Sequence, residues 1–280
     1  MNSIERNKDD PEVVSTNVTF AFGHVVGAGI QDVLAGFSFE QVLFRMYLGW
    51  HTDLYDSNDK QNKSFWTAVF AIQKFIALRK QGLLDGYELL TYDNKPACEL
   101  SFRITFPDGF KLRGFVDAVL RHKITGKILV LELKTTSAKY VDEAMYKNSA
   151  QAIGYSIVLD VIAPEINSYE VLYLIYLTGQ MDYEVMPFEK SYFQRVLWIR
   201  ELLLDIETIK MYEEAQVFPM RGENCIKWGR RCDYFGLCTL SDEHVIKPQV
   251  EVPNPVVEDY QIELTLAQVI QAQQAKLIEG

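Results

Sequence analysis

Helical spacing of apolar residues follows an initial polar stretch at residues 1–16. This spacing predicts one helix over about residues 23–34, a second after Ser38, and a third over about residues 64–80. Ser38 precedes Gln41 by three positions, which is the sequence form of a capping box. The first part of the chain is therefore predicted to be helical.

The pattern changes to short β-rich segments after Gly86. Turn-forming clusters, among them Pro107-Asp108-Gly109 and Thr125-Gly126, separate these segments and predict an antiparallel meander. A later run is nearly all apolar, as in a buried central strand. The predicted strands cover about residues 87–92, 98–106, 110–120, 127–134, 169–177 and 182–186, and further helices cover about residues 141–161, 190–214 and 264–278.

These elements predict an α/β (or α+β) fold, in which helices flank a mixed central β-sheet. We expect one main domain over residues 17–240, which includes a cysteine-containing segment at 221–240. A polar tail (residues 1–16) precedes this domain, and a linker with a final helix (residues 241–280) follows it.

Composition narrows the possible classes of protein. The chain has 280 residues, of which 48% are hydrophobic, and this is enough for one large core. It has neither an apolar run of about 20 residues nor a signal-peptide pattern, so we expect an intracellular protein without a membrane partner. The net charge of −10 argues mildly against a nucleic-acid partner, but it allows a local basic groove.

The strongest chemical signal is formed by Asp117, Glu132 and Lys134. Glu132 and Lys134 are two residues apart on a predicted strand, so their side chains share one face. Strand pairing around Thr125-Gly126 would place Asp117 opposite Lys134 and diagonal to Glu132. Such a group can hold a divalent cation and activate a water molecule. The alternative is a solvated strand face, but apolar neighbours favour a functional reason for these charges.

Two motifs make this pattern specific. Asp117 with Glu132-Leu133-Lys134 resembles the signature of the PD-(D/E)XK nucleases, and Arg113-Gly114-Phe115-Val116-Asp117 resembles the RGxxD strand of their RecB-like and phage exonuclease branch. Gln151 and Tyr155 resemble the QxxxY helix motif of the same branch and would share one helical face. The resemblance implies a restriction-endonuclease-like core.

The resemblance also implies roles for individual residues. Asp117 and Glu132 would bind Mg²⁺ or Mn²⁺ together with the backbone carbonyl of Leu133, and Lys134 would be the catalytic lysine. Gln151 and Tyr155 would reach DNA or Lys134.

Three positions depart from the family pattern or extend it. Val116 replaces the proline that often precedes the first aspartate. The metal-binding histidine of an N-terminal helix, in the form G-x-x-x-H, has no direct match, and His24 is either its substitute or an ordinary histidine at a helix start. Glu99 stands where the branch often has a glutamate, as an outer ligand or a base-orienting group.

The segment Cys225-x6-Cys232-x5-Cys238 resembles the C-terminal cysteine cluster of iron–sulfur nucleases such as the AddB type. A fourth ligand would be Cys98 or, for zinc, His244. A [4Fe–4S] cluster, a zinc site and free thiols all remain open. Arg230 and Arg231 lie within this segment and are candidates for phosphate contacts.

The resemblance implies a Mg²⁺- or Mn²⁺-dependent deoxyribonuclease, and we expect an exonuclease of recombination, repair or phage DNA metabolism. Its place would be the cytoplasm of a bacterium or of a phage-infected cell. The chain has no G-x-x-x-x-G-K-[ST] motif, so we expect it to act alone or with a separate single-strand annealing protein or helicase. The alternatives are an inactive nuclease-fold module that binds DNA or protein, an RNA nuclease, and a protein of CRISPR spacer acquisition.

Overall fold

The structure is a computed structural model with two compact units. The first unit comprises Met1–Arg195 and Tyr260–Gly280, and the second comprises Val196–Asp259. The residues described are 6–7, 10–14, 18–50, 62–164, 169–215, 217, 225–227, 230–231 and 260–279.

Three helices begin the first unit after a short strand pair, β1 (Arg6–Asn7) and β2 (Asp10–Val14), which lies within the predicted polar tail. In order, α1 covers Val18–Leu34, α2 covers Phe39–Gly49 and α3 covers Phe65–Lys80. The predicted capping box of α2 is confirmed, because Ser38 N donates to Gln41 Oε1 at 2.9 Å and Gln41 N donates to Ser38 Oγ at 3.4 Å.

In the described part of the chain, the remaining elements are a seven-stranded mixed sheet, two separate two-stranded sheets and further helices. In chain order they are β3 (Tyr87–Leu89), β4 (Thr91–Tyr92), β5 (Lys95–Pro96), β6 (Cys98–Thr105), β7 (Lys111–His122), β8 (Ile128–Thr136), α4 (Ala144–Lys147), α5 (Ala150–Ile162), β9 (Tyr169–Leu177), β10 (Asp182–Lys190), α6 (Tyr192–Ala215), β11 (Ile226–Lys227), β12 (Arg230–Arg231), β13 (Ile262–Thr265) and α7 (Leu266–Glu279).

The order of strands in the sheet is β10-β9-β8-β7-β6-β13, and β3 also pairs with β7. The pairs β8–β9 and β6–β13 are parallel, and the other pairs are antiparallel. The predicted mixed central sheet with flanking helices is therefore confirmed. Pro187 lies in the edge strand β10, the kind of strand in which proline is tolerated.

Two predicted elements differ from the structure. The helix expected over residues 141–161 is broken into α4 and α5. Residues 262–265 were expected in the linker and the start of the last helix, but they form β13, which pairs in parallel with residues 102–105 of β6. The predicted linker over 247–259 lies outside the described residues.

The two faces of the sheet pack against different helices. Alternate residues of the central strands, such as Leu120, Leu129 and Leu174, join the apolar cluster of α1, α2 and α3. The intervening residues, such as Val119 and Val130, are also fully buried. They lie on the opposite face, since side chains alternate along a strand. Asp117, Glu132 and Lys134 belong to this second set by their spacing.

A buried ion pair joins α5 to the start of α6. Arg195 Nε lies 2.8 Å from Asp160 Oδ2, and both side chains are completely buried. Arg195 also donates to the carbonyl of Lys190 at 2.7 Å. Within the described residues, no helix is long and apolar enough to cross a membrane.

Candidate active site

Asp117, Glu132 and Lys134 meet where β7 and β8 run side by side. The register pairs Ala118 with Leu131, so the next position places Asp117 opposite Glu132. The predicted pairing of Asp117 with Lys134 is therefore wrong by two residues. The turn explains the difference, because the hairpin closes with His122 N donating to Lys127 O at 2.8 Å.

Hydrogen bonds hold the three side chains in place. The backbone N–H of Leu133 donates to Asp117 Oδ2 at 2.7 Å. Lys134 Nζ lies 2.6 Å from Glu132 Oε1. It also donates to Gln151 Oε1 at 3.1 Å, and the Gln151 amide in turn donates to the Tyr155 hydroxyl. The two sequence motifs thus meet through Lys134.

The local sequence explains this meeting. Gln151 and Tyr155 are four residues apart on α5, so both side chains point from one side of the helix. Tyr155 is buried and contacts Phe102 with ring centroids 6.3 Å apart, which anchors α5 against the sheet. The QxxxY helix is consequently fixed beside the end of β8.

Burial sets the electrostatics of the two carboxyl groups. Burial raises the pKa of Glu132 to about 7, and repulsion by Asp117 adds to the effect. Burial also raises the pKa of Asp117 to about 6, against the lowering effect of the Leu133 hydrogen bond. Lys134 lowers both pKa values but does not cancel the burial. Both carboxyl groups therefore hold their protons to a higher pH than usual, because ionising them side by side in a buried place is unfavourable.

This donor set suits a divalent cation. Glu132 is fully buried, and its Oε2 atom has no hydrogen-bond partner among the described residues. Nowhere in the described part of the chain do three or more His, Cys, Asp or Glu side chains converge as a metal site. Mg²⁺ commonly binds one or two carboxylates and keeps several waters, so the Asp117–Glu132 pair fits it.

Gln31 of α1 is a residue of this site that the sequence analysis missed. Its Nε2 atom donates to Glu99 Oε1 at 2.8 Å and to the backbone carbonyl of Asp117 at 3.0 Å. Gln31 is buried on the mostly apolar helix α1, and a buried amide needs such partners. The sequence signal for it was a polar Gln31-Asp32 pair within the mostly apolar helix α1.

Glu99 lies beside Asp117 on β6 with an unusual backbone. Its φ is +48°, in the left-handed region that side chains other than glycine rarely adopt. The pairs Cys98–Ala118 and Leu100–Val116 flank it, and no Glu99–Asp117 pair lies between them. The charge of Glu99 raises the pKa of both site carboxyl groups. Its proposed role as an outer ligand remains a prediction.

His24 lies on an exposed side of α1 and lines a cleft together with Lys134. In contrast, Gln31 is the residue of α1 that hydrogen-bonds to the Asp117 backbone. His24 as a metal ligand remains a prediction.

The cysteine segment belongs to the second unit. Cys225 is a half-exposed free thiol, whereas Cys232, Cys238 and His244 lie outside the described residues. Cys98 is a free thiol on β6, and burial raises its pKa to about 12, which keeps it neutral.

Arg230 and Arg231 form β12, which pairs with β11. A bound cluster in this segment and phosphate contacts by the two arginines remain predictions.

In this mixed sheet, one strand carries an aspartate and the next carries a Glu-x-Lys sequence. This arrangement is typical of nucleases with a restriction-endonuclease-like fold. The family model of the PD-(D/E)XK nuclease superfamily matches residues 49–239. The chain belongs to this superfamily.

No curated protein matches the chain. One solved structure, titled "Crystal structure of SSO0001", aligns at 13% identity with a TM-score of 0.24 over 69% of this chain and 79% of that chain.

Proposed function

We propose that the protein is a Mg²⁺- or Mn²⁺-dependent deoxyribonuclease that acts as an exonuclease. Membership of the nuclease superfamily supports hydrolysis of phosphodiester bonds. The observation that carries the proposal is the buried Asp117–Glu132 pair, with Lys134 Nζ 2.6 Å from Glu132. A buried carboxylate pair of this kind is costly unless it binds a cation, and no apolar packing role explains it.

Asp117, Glu132 and the carbonyl of Leu133 are the proposed ligands. A divalent cation there would supply positive charge to stabilise the scissile phosphate and would make bound water more acidic. Asp117 is held in place by the N–H of Leu133, so its other oxygen, Oδ1, is the atom left for a ligand. Glu132 offers Oε2, which has no other partner in the described residues.

Lys134 is the proposed group beside the attacking water. Its side chain is 37% exposed, so it can face a substrate while it contacts Glu132 and Gln151. Hydrolysis forms a bond from the water oxygen to phosphorus and breaks the bond from phosphorus to a sugar oxygen. The water proton leaves during attack, and the released sugar oxygen gains a proton.

The choice of DNA and of an exonuclease rests on the resemblance to the RecB-like branch. The chain of contacts from Lys134 to Gln151 and Tyr155 supports this choice, because it unites the QxxxY motif with the catalytic lysine. Recombination, repair or phage DNA metabolism is the proposed setting. An annealing protein or a helicase is the proposed partner.

Digestion by purified protein tests the proposal. Linear double-stranded, single-stranded and circular DNA, and single-stranded RNA, are incubated with Mg²⁺, Mn²⁺ or EDTA. Asp117→Asn and Lys134→Ala are compared with wild type. Lys127→Ala is the matched control, since Lys127 immediately precedes β8 and also forms a 2.6 Å ion pair with a glutamate, Glu170.

We expect metal-dependent cutting of linear DNA that both site variants lose and the control retains. Cutting of circular DNA would show an endonuclease in place of the proposed exonuclease. Preferential cutting of RNA would show that RNA, not DNA, is the substrate. DNA binding without cutting under any metal would favour the inactive binding module. Cutting that survives both site variants would contradict the assigned site.

A further inference from the structure

The connection between β8 and α5 (residues 137–149) directly follows the strand that carries the candidate active site. Gln180, in the turn between β9 and β10, donates from Nε2 to the carbonyl of Lys139. Lys190, at the end of β10, is completely buried and donates from Nζ to the carbonyl of Lys147. A buried ammonium group needs such an acceptor. The connection is therefore held at two points, one before α4 and one at its last residue.

Tyr146, on α4, packs on the same face of the sheet as the site carboxyl groups. Its ring contacts the ring of Tyr173 with centroids 4.8 Å apart. Tyr173 lies on β9, where it pairs with Glu132 of β8. Its neighbours Leu172 and Leu174 belong to the apolar cluster on the α1 side. Because side chains alternate along a strand, Tyr173 lies on the opposite face, beside Glu132. Tyr146 is thereby held on the side of the sheet that carries the site.

The hydroxyl of Tyr146 lies near the lysine of the site. Burial raises the pKa of Tyr146 and the positive charge of Lys134 lowers it, an effect that requires the two groups to be close. The pKa remains above its ordinary value of 10, so the hydroxyl stays protonated at neutral pH and can donate a hydrogen bond. Tyr155 and Tyr173 are buried, whereas Tyr146 is partly exposed. Of these three tyrosines, Tyr146 is the one that a substrate can touch.

The charges around Tyr146 indicate the chemistry of its ligand. Under the proposed function, a phosphodiester binds beside Asp117 and Glu132, whose carboxylates repel it until a cation is bound. A hydrogen-bond donor that faces the phosphate stabilises the negative charge that develops on its oxygens during attack. A neutral hydroxyl supplies this donor without a second buried charge, and its hydrogen bond to an ionised acceptor is a strong one. A phosphate oxygen is therefore the ligand that suits the Tyr146 hydroxyl.

We propose that the Tyr146 hydroxyl donates a hydrogen bond to a non-bridging oxygen of the scissile phosphate and is a further catalytic residue. The proposal rests on the proposed nuclease function and adds a contact with the substrate. Tyr173 holds the ring, and the bond from Lys190 to Lys147 holds the backbone of α4. Because the phosphate oxygens gain charge in the transition state, the hydrogen bond is stronger there than with bound substrate. The hydroxyl therefore raises kcat more than it lowers KM.

Steady-state cleavage of a linear DNA oligonucleotide by the full-length protein with Mg²⁺ or Mn²⁺ tests the proposal. Tyr146→Phe removes the hydroxyl and keeps the ring. We expect kcat to fall by about 10- to 100-fold, the loss of one hydrogen bond to a charged acceptor, with little change in KM. Tyr140→Phe is the matched control, because Tyr140 lies on the same connection and is 79% exposed. This control should cut like wild type. Urea unfolding verifies that both variants are folded.

A chemical double-mutant cycle identifies the atom that Tyr146 contacts. Single-turnover cleavage is measured on substrates in which sulfur replaces one non-bridging oxygen of the linkage that is cut, with the two stereoisomers kept separate. Sulfur is a weaker acceptor than oxygen. One stereoisomer should slow wild type and have little further effect in Tyr146→Phe, whereas the other should slow both proteins equally. A substitution that only loosened the structure would lower the rates with both stereoisomers by the same factor.

Three outcomes would overturn the proposal while the nuclease function stands. In the first, Tyr146→Phe cuts like wild type although Asp117→Asn does not cut. In the second, Tyr146→Phe raises KM and leaves kcat unchanged, which contradicts a contact that strengthens in the transition state. In the third, the losses from Tyr146→Phe and from sulfur are additive for both stereoisomers. If wild-type protein cuts no nucleic acid with either metal, the proposed function fails together with this contact.

Discussion

Replacing Glu132 with glutamine should stabilise the metal-free protein at alkaline pH. Glu132 is fully buried, and burial followed by repulsion from Asp117 raises its pKa from an ordinary 4.5 to about 7. A raised carboxyl pKa means that the folded protein holds a proton more tightly than the unfolded chain does. Stability is therefore complete below about pH 4.5 and falls as the pH rises through about 7.

The size of this effect follows from the pKa. Because one pKa unit corresponds to about 1.4 kcal/mol, ionised Glu132 lowers the free energy of unfolding by about 3 kcal/mol at pH 8. Glutamine keeps the shape and removes the charge, but it also removes the ion pair with Lys134. That side chain is 37% exposed, so its charge stays solvated and this loss is small. We expect a net gain of about 1–3 kcal/mol at pH 8.

Urea unfolding in EDTA at pH 5, 6, 7 and 8 measures the gain. The difference between Glu132→Gln and wild type should be smallest at pH 5 and should grow with pH. Glu170→Gln is the matched control, because Glu170 also pairs with a lysine at 2.6 Å but its side chain is 27% exposed. This control should show no stabilisation.

Added Mg²⁺ should reverse the order of stability. The cation binds the folded wild type and raises its stability by mass action, whereas the glutamine variant lacks a ligand. A difference that does not change with pH, or a glutamine variant that is less stable than wild type at pH 8 in EDTA, would refute the reasoning. Equal stabilisation of both proteins by Mg²⁺ would place the cation elsewhere.

Three further substitutions test other contacts. Gln31→Ala removes both hydrogen bonds from α1 to the site strands, and it should cost about 1–3 kcal/mol in urea unfolding and slow metal-dependent digestion. Asp160→Ala leaves the buried Arg195 charge without its carboxylate, so thermal unfolding should show a loss of about 3–5 kcal/mol, and a loss below about 1 kcal/mol would contradict the buried pair. Gly114→Ala places a Cβ 2.5 Å from the Phe102 ring and should cost about 1–3 kcal/mol in urea unfolding, with partial rescue by Phe102→Leu.

Local patterns made most of the fold predictable. The capping box at Ser38 and the apolar run of β9 depend only on residues that are close together in sequence. These local patterns therefore indicated both elements correctly. The Glu132–Lys134 pair shares a face because side chains alternate along a strand, and Gln151 and Tyr155 share a face because they are four residues apart. These relations need no knowledge of tertiary structure.

Long-range contacts were not predictable in the same way. Gln31 contacts Glu99 and Asp117, which are 68 and 86 residues away, and its sequence neighbours give no sign of either partner. β13 is four residues long and pairs with β6 about 160 residues earlier in the chain. Its short apolar alternation is too brief to separate a strand from the start of the following helix. In both cases tertiary packing selects the conformation.

The register of the β7–β8 hairpin decides the chemistry of the site. With the predicted pairing, Asp117 would face Lys134, and the opposite charges would largely neutralise each other. In the structure Asp117 follows the Ala118–Leu131 pair and so faces Glu132, which brings two carboxyl groups together in a buried place. Like charges on opposed residues destabilise a sheet. Lys134 relieves part of this repulsion, and a proton on Glu132, whose pKa is raised to about 7, relieves it further at lower pH. The two-residue difference that the sequence left unresolved therefore places two carboxyl groups opposite each other where an ion pair was expected, which is the arrangement behind the proposed metal site.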